Sequence, residues 1–177
     1  HTESVSLPFS LTGGSYRLYV LSDINARVTE SSDANNTAYA TIQIVRDTPD
    51  LQVTTVGHEA SGMAGLPLDV SWHVENTGIN QTDAGNWYDE VYLSLDEVLD
   101  NSDTYLGYRY RNALLAAGAG YDASGSFTLP GTLAPNDYFV IVRTDRGNAV
   151  TEGAEGELNN TQVSTTTVPV VAFDPNN

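Results

Sequence analysis

Cysteine is missing from all 177 residues, which excludes disulfides, thiol catalysis and cysteine-held metals. Packing alone must stabilise the fold, and a domain of ~120 residues can bury enough apolar surface to do so. Lysine is missing too; all seven basic residues are arginines. That rules out a Schiff base, a phosphate-loop lysine and an intramolecular lysine–asparagine cross-link. No apolar run approaches the ~18 residues needed to cross a bilayer, so membrane insertion is not expected. The amino end lacks the charged-then-apolar pattern of a signal peptide. A leader is expected to have been removed, or the chain to be a piece of something longer.

Against the seven arginines stand 23 acidic residues, a formal charge of −16. Affinity for phosphate needs clustered positive charge, so neither nucleic acid nor an anionic membrane is an expected partner. Strong acidity suits solubility in salty surroundings, cation binding, or both. Together with the lack of cysteine and the richness in strands, it suggests a secreted or cell-surface (extracellular) bacterial module.

Hydrophobicity alternates with a period of two almost throughout. Runs such as Tyr16-Arg-Leu-Tyr-Val-Leu and Thr37-Ala-Tyr-Ala-Thr-Ile-Gln-Ile-Val are closed by Asp, Asn and Gly clusters, the usual strand signature. Part of this pattern occurs twice. With Ser126 laid on Ser4, Leu133 falls on Leu11, Tyr138 on Tyr16, Val142 on Val20 and Asp145 on Asp23. Val150-Thr151-Glu152 falls on Val28-Thr29-Glu30 and, two residues out of step, Asn159-Asn160-Thr161 on Asn35-Asn36-Thr37. Such long-period self-similarity indicates an array of similar domains. The second copy has about 75 strand-rich residues ahead of it and the first almost none, short of a whole domain. Residues 1–46 are therefore expected to be the carboxyl half of one module, and 50–173 a complete one. Pro49 and its flanking aspartates mark the boundary at Arg46–Asp50.

Within 50–173, Leu68, Val70, Trp72 and Val74 share one face of a strand, and Asp69, Ser71, His73 and Glu75 the other. Further strands are expected at Trp87–Leu95, Thr104–Asn112, Tyr121–Leu129, Asp137–Thr144 and Thr161–Val171. Asn112–Ala119 reads as a loop that packs Leu114 or Leu115. This spacing predicts an all-β, immunoglobulin-like antiparallel β-sandwich in tandem repeat. Three sets of motifs go further: Asp50-Leu-Gln-Val, Pro67-Leu-Asp-Val-Ser-Trp-His-Val-Glu-Asn-Thr-Gly78 and Trp87-Tyr-Asp-Glu-Val-Tyr-Leu-Ser-Leu-Asp96. With Leu106-Gly107, Tyr138–Asp145 and the Glu/Asn-Asn ending, they resemble the CARDB family, cell-adhesion-related Ig-like domains of bacteria and archaea. The likeness covers 50–171, and residues 4–45 resemble the family's carboxyl half. It implies the sandwich fold and a part in adhesion.

The strongest chemical candidate is the acidic run after Trp87. Asp96, Asp100, Asn101 and Asp103 lie within eight positions, with Asp89 and Glu97 as outer contributors. Ca²⁺ takes six to eight oxygens, and this loop offers several. The spacing departs from the EF-hand, and the other reading is an acidic hairpin whose Asp side chains bond their own backbone. Asp145, Asn148, Glu152, Glu155, Glu157, Asn159 and Asn160 recur as Asp23, Asn25, Glu30, Asp33, Asn35 and Asn36. Recurrence in both copies points to turn construction rather than a ligand.

Other motifs add little. The N-x-Thr sequons at Asn35, Asn80 and Asn159 read as coincidental, and Leu129-Pro-Gly-Thr lacks what a sorting signal requires. No nucleophile elbow surrounds His1, His58 or His73, and no carboxylate pair is flanked by apolar residues that would raise a pKa. No catalysis is expected. Trp72 is expected in the core. Trp87, Tyr88, Tyr105, Tyr108 and Tyr110 suggest a sugar-stacking platform, although strand alternation should turn half of them inward.

The expected function is that of a non-catalytic extracellular repeat serving adhesion, spacing or filament assembly through strand complementation. Its partners would be neighbouring repeats, copies of itself, or a surface glycan or protein receptor. The alternative is a Ca²⁺- or glycan-binding accessory module of a secreted hydrolase.

Overall fold

The computed structural model describes residues 2–7, 13–44, 48–153 and 156–173, and divides the chain into two units, His1–Arg46 and Asp47–Asn177. In the first unit, β1 (Gly14–Leu21) and β2 (Thr37–Ile44) form an antiparallel hairpin paired from Gly14↔Ile44 to Leu21↔Thr37. Tyr19 and Tyr39 face each other across it, with ring centroids 5.5 Å apart. The long connection contains a short 3-10 turn at Asp33–Asn35.

Among its described residues, the second unit holds nine strands. They are β3 (Leu51–His58), β4 (Gly62–Met63), β5 (Pro67–Asn76), β6 (Asn86–Ser94), β7 (Thr104–Asn112), β8 (Gly120–Thr128), β9 (Asn136–Arg143), β10 (Thr161–Val163) and β11 (Val168–Val171). One sheet runs β3-β5-β8; the other runs β4-β11-β9-β6-β7, with β10 also on β9. Every pairing is antiparallel except β4 with β11.

The alternation of β5 appears directly as burial. Leu68, Val70, Trp72 and Val74 are buried, and their odd-numbered neighbours lie at or nearer the surface. Opposite them sit Trp87, Val91 and Leu93 of β6, Val140 and Val142 of β9, and Val168 and Val170 of β11. Each such side chain contributes about 1.5–3 kcal/mol on burial. In the Asn112–Ala119 loop it is Leu115 that packs inward, while Leu114 is exposed.

The strand expected at Thr161–Val171 is interrupted. Ser164 donates its N–H to Val140 O at 2.8 Å, and its hydroxyl accepts from Val140 N at 3.0 Å. A side-chain oxygen thus takes the place of a ladder carbonyl, and the pairing with β9 slips between Val163 and Val168. Short β10 and β11 result.

Candidate functional site

The acidic loop between β6 and β7 turns its carboxylates onto its own backbone. Asp96 Oδ1 accepts from Val98 N at 2.8 Å, and Asp103 Oδ2 accepts from Asp100 N at 2.8 Å. Asp100 Oδ1 accepts from both the hydroxyl and the N–H of Ser102, each at 2.7 Å. Those two bonds, the hydroxyl's first, hold the Asp100 carboxyl below its usual range. Asn101 and Glu97 are exposed at the tip. Among the described residues, no three His, Asp or Glu side chains form a group able to hold a metal ion.

Asp89 lies elsewhere. It stands on β6 about 16 Å along the strand from Ser94, facing the core, and is 1% exposed. Trp72 Nε1 donates to its Oδ2 at 2.9 Å and Thr144 Oγ1 to its Oδ1 at 2.7 Å. The Tyr121 hydroxyl lies 2.8 Å from Oδ2 and 3.0 Å from Oδ1, and accepts from Trp87 Nε1 at 3.1 Å. Arg111 lies over the Tyr121 ring, 3.9 Å from its centroid. Burial raises the Asp89 carboxyl's pKa, against the pull of Trp72, Thr144, Tyr121 and Arg111. One carboxylate thereby ties the two sheets together through three side chains, Trp72, Tyr121 and Thr144.

The tyrosines break the simple alternation. Trp87 is in the core, but Tyr88, Tyr105, Tyr108 and Tyr110 are all exposed. Leu106 and Gly107 form a bulge: Val91 pairs with Gly107 but Tyr92 pairs with Tyr105. The extra residue keeps Tyr105 on the same side as Tyr108 and Tyr110. Gly107 has φ +153°, and a Cβ there would come within 3.0 Å of the Phe127 ring, so glycine is required. On the resulting outer face, the Tyr88 ring centroid lies 5.1 Å from those of Tyr108 and Tyr110, and that of Tyr92 5.4 Å from Tyr105. Between them Glu90 accepts from the Tyr92 hydroxyl, from Arg143 Nη2 at 3.0 Å and, in an ion pair, from Arg146 Nε at 3.5 Å. The arrangement offers ring faces beside fixed charged groups.

The Asp/Asn-rich turns have the same geometry in both units. Asp145, at φ +44°, accepts from Ala149 N and Val150 N, both at 2.9 Å, and Asn148 follows at φ +48°. Asp23, also at φ +44°, accepts from Arg27 N at 2.8 Å and Val28 N at 2.9 Å, and Ala26 follows at φ +48°. These side chains build the turn.

Beyond that turn, Glu152 is buried at the start of β3. Its Oε1 accepts from Leu51 N at 2.5 Å and its Oε2 from Asn160 Nδ2 at 2.7 Å. Gly156 closes over it: a Cβ there would stand 2.7 Å from the Glu152 Cβ. Burial drives the Glu152 carboxyl up to about 8 despite the bonds from Asn160 and Leu51, with the charges of Glu157 and Asp145 adding to the rise. Raised carboxylates were not expected from sequence neighbours; the apolar surroundings of Asp89 and Glu152 come from distant strands.

The CARDB family model matches residues 48–171. The chain belongs to the CARDB family. The CARDB domain of the PF1109 protein from Pyrococcus furiosus, solved in complex with di-metal ions, is 19% identical with a TM-score of 0.49; the match covers 72% of this chain and 93% of that one. A domain from Methanosarcina acetivorans, described as belonging to a cell-surface protein, is 20% identical with a TM-score of 0.50, over 72% of this chain and 96% of its own. The fold is therefore the Ig-like β-sandwich of that family. No curated protein matches the chain.

CARDB domains are non-catalytic modules. Asp89 is close to the acidic loop in the chain, yet its side chain is buried in the core. The one available signal was its position: Asp89 alternates with Trp87, Val91 and Leu93, which are all apolar. Glu152 carried no such signal.

Proposed function

We propose that this chain is a non-catalytic stretch of a secreted or cell-surface protein built from repeated Ig-like modules, acting in adhesion, spacing or fibre assembly. One comparison carries the reading. Leu18, Val20 and Val28 are 43%, 65% and 61% exposed, whereas Val140, Val142 and Val150, their counterparts in the repeat, are all 0% exposed. A two-stranded hairpin is marginal alone, and an open apolar face is an interaction surface. These exposures support reading residues 1–46 as the carboxyl half of a module, completed by strands from another segment or another subunit. Donation of strands between subunits would build open filaments.

Light scattering and hydrogen exchange on the 177-residue chain test this across the micromolar range. Association together with growing protection of 14–44 supports donation between subunits. A monomer whose hairpin becomes protected only when the chain is extended upstream supports completion in cis. A monomer with a protected, protease-resistant hairpin overturns the proposal.

The tyrosine face favours a second reading, a glycan-binding accessory module beside a hydrolase domain. Loss of polysaccharide retention in Tyr110→Ala, with an unchanged melting temperature, would support it. Retention at the original level would remove it.

A further inference from the structure

We propose that the tyrosine face takes an acidic glycan, whose sugar rings stack on Tyr88, Tyr108 and Tyr110 while a sugar carboxylate is held by Arg146. This rests on the glycan-binding reading of that face and adds the ligand's charge to it. Strand register brings the groups together. Tyr88 pairs with Tyr110, and Glu90 stands between Tyr108 on β7 and Arg143 on β9. Two strand spacings, about 10 Å, therefore separate the ring column from the arginine column, and a short oligosaccharide spans both. Arg146 follows β9 and joins the arginine column, its N 3.5 Å from Tyr88 O and its Nε 3.5 Å from Glu90 Oε1.

The charge here runs against that of the whole chain. One carboxylate, Glu90, serves two guanidiniums, and its side chain is 7% exposed against 33% for Arg143 and 61% for Arg146. The negative group is sunk and the positive groups lie outermost. Among the described residues, Arg146 pairs with no acid besides Glu90, and reaches that one through Nε. Its neighbour Asp145 is buried and accepts from Ala149 N and Val150 N. Arg146 thus keeps the forked Nη pair that suits a carboxylate. The exposed groups are rings and guanidinium rather than aliphatic: Ile141, which pairs with Tyr92, is 0% exposed. That lacks the apolar centre a protein interface buries. A second copy would also bring another −16 charges, whereas a glycan with isolated carboxylates brings few and meets less repulsion.

The test is affinity gel electrophoresis of the 177-residue chain at ~0.15 M salt, where long-range repulsion is screened. The two probes are glucuronoxylan and the same polymer with its carboxyl groups reduced to alcohols. Glucuronoxylan should bind about tenfold more tightly, the scale of one bidentate guanidinium–carboxylate contact. Arg146→Gln should remove that difference, and Tyr108→Ala should weaken binding to both polymers, each with an unchanged melting temperature. Tyr39→Ala, an exposed tyrosine of the first unit, should alter neither. Equal binding of the two polymers, or a preference that survives in Arg146→Gln, overturns the proposal while the glycan-binding reading stands. Binding to neither polymer overturns both. Association between copies that Arg146→Gln abolishes in light scattering would assign the face to a second copy, and overturns the proposal as well.

Discussion

Asp89 is the residue whose removal should be felt most. Asp89→Ala would leave Trp72 Nε1 and the hydroxyls of Tyr121 and Thr144 without their acceptor inside the sandwich. Stranding several buried donors costs about 3–5 kcal/mol, seen as a lower urea midpoint with unchanged m. Asp89→Asn should cost less, since one acceptor oxygen survives. Glu152 is tested by pH. Its carboxyl rises from 4.5 to about 8 on folding, so its contribution is full below pH 4.5 and is lost as pH climbs through about 8. The melting temperature should therefore fall between pH 5 and pH 9, by ~5 °C if the loss is ~1 kcal/mol. Glu152→Gln should flatten that fall in calorimetry. A variant with the original slope would mean that Glu152 ionises normally in the folded protein.

Among the elements, the bulge in β7 decides what the outer face presents. Without the extra residue at Leu106-Gly107, Tyr105 would point opposite to Tyr108 and Tyr110. Gly107→Ala must place a Cβ at φ +153° against Phe127, a strain of about 1–3 kcal/mol. The expected outcome is a lower urea midpoint and a changed tyrosine near-ultraviolet circular dichroism signal, because the Tyr92–Tyr105 pair is disturbed. The Ser164 break works differently: a hydroxyl substitutes for a backbone carbonyl, and the chain changes register without a glycine.

Across the molecule, the second unit has a self-contained core drawn from Leu51 to Val170, while the first unit leaves the matching side chains exposed. A chain beginning at Thr48 should therefore keep the melting temperature of the full protein, within a few degrees. In the full chain, amides of β9 should exchange far more slowly than those of β1, although the two strands hold the same place in the sequence repeat. Equal protection of β1 and β9 in a dilute monomer would contradict this.

The sequence by itself determined what depends on near neighbours. Period-two alternation set the strands and the inward face of β5, and the spacing Asp145–Ala149–Val150 already contained the turn that Asp23 repeats. Only the tertiary structure decided which polar groups are buried and with whom. Asp89 meets Tyr121 from 32 positions away and Thr144 from 55; Glu152 meets the Leu51 amide from 101. Desolvation depends on what lies above and below a residue in space, and in a sandwich those neighbours come from the opposite sheet.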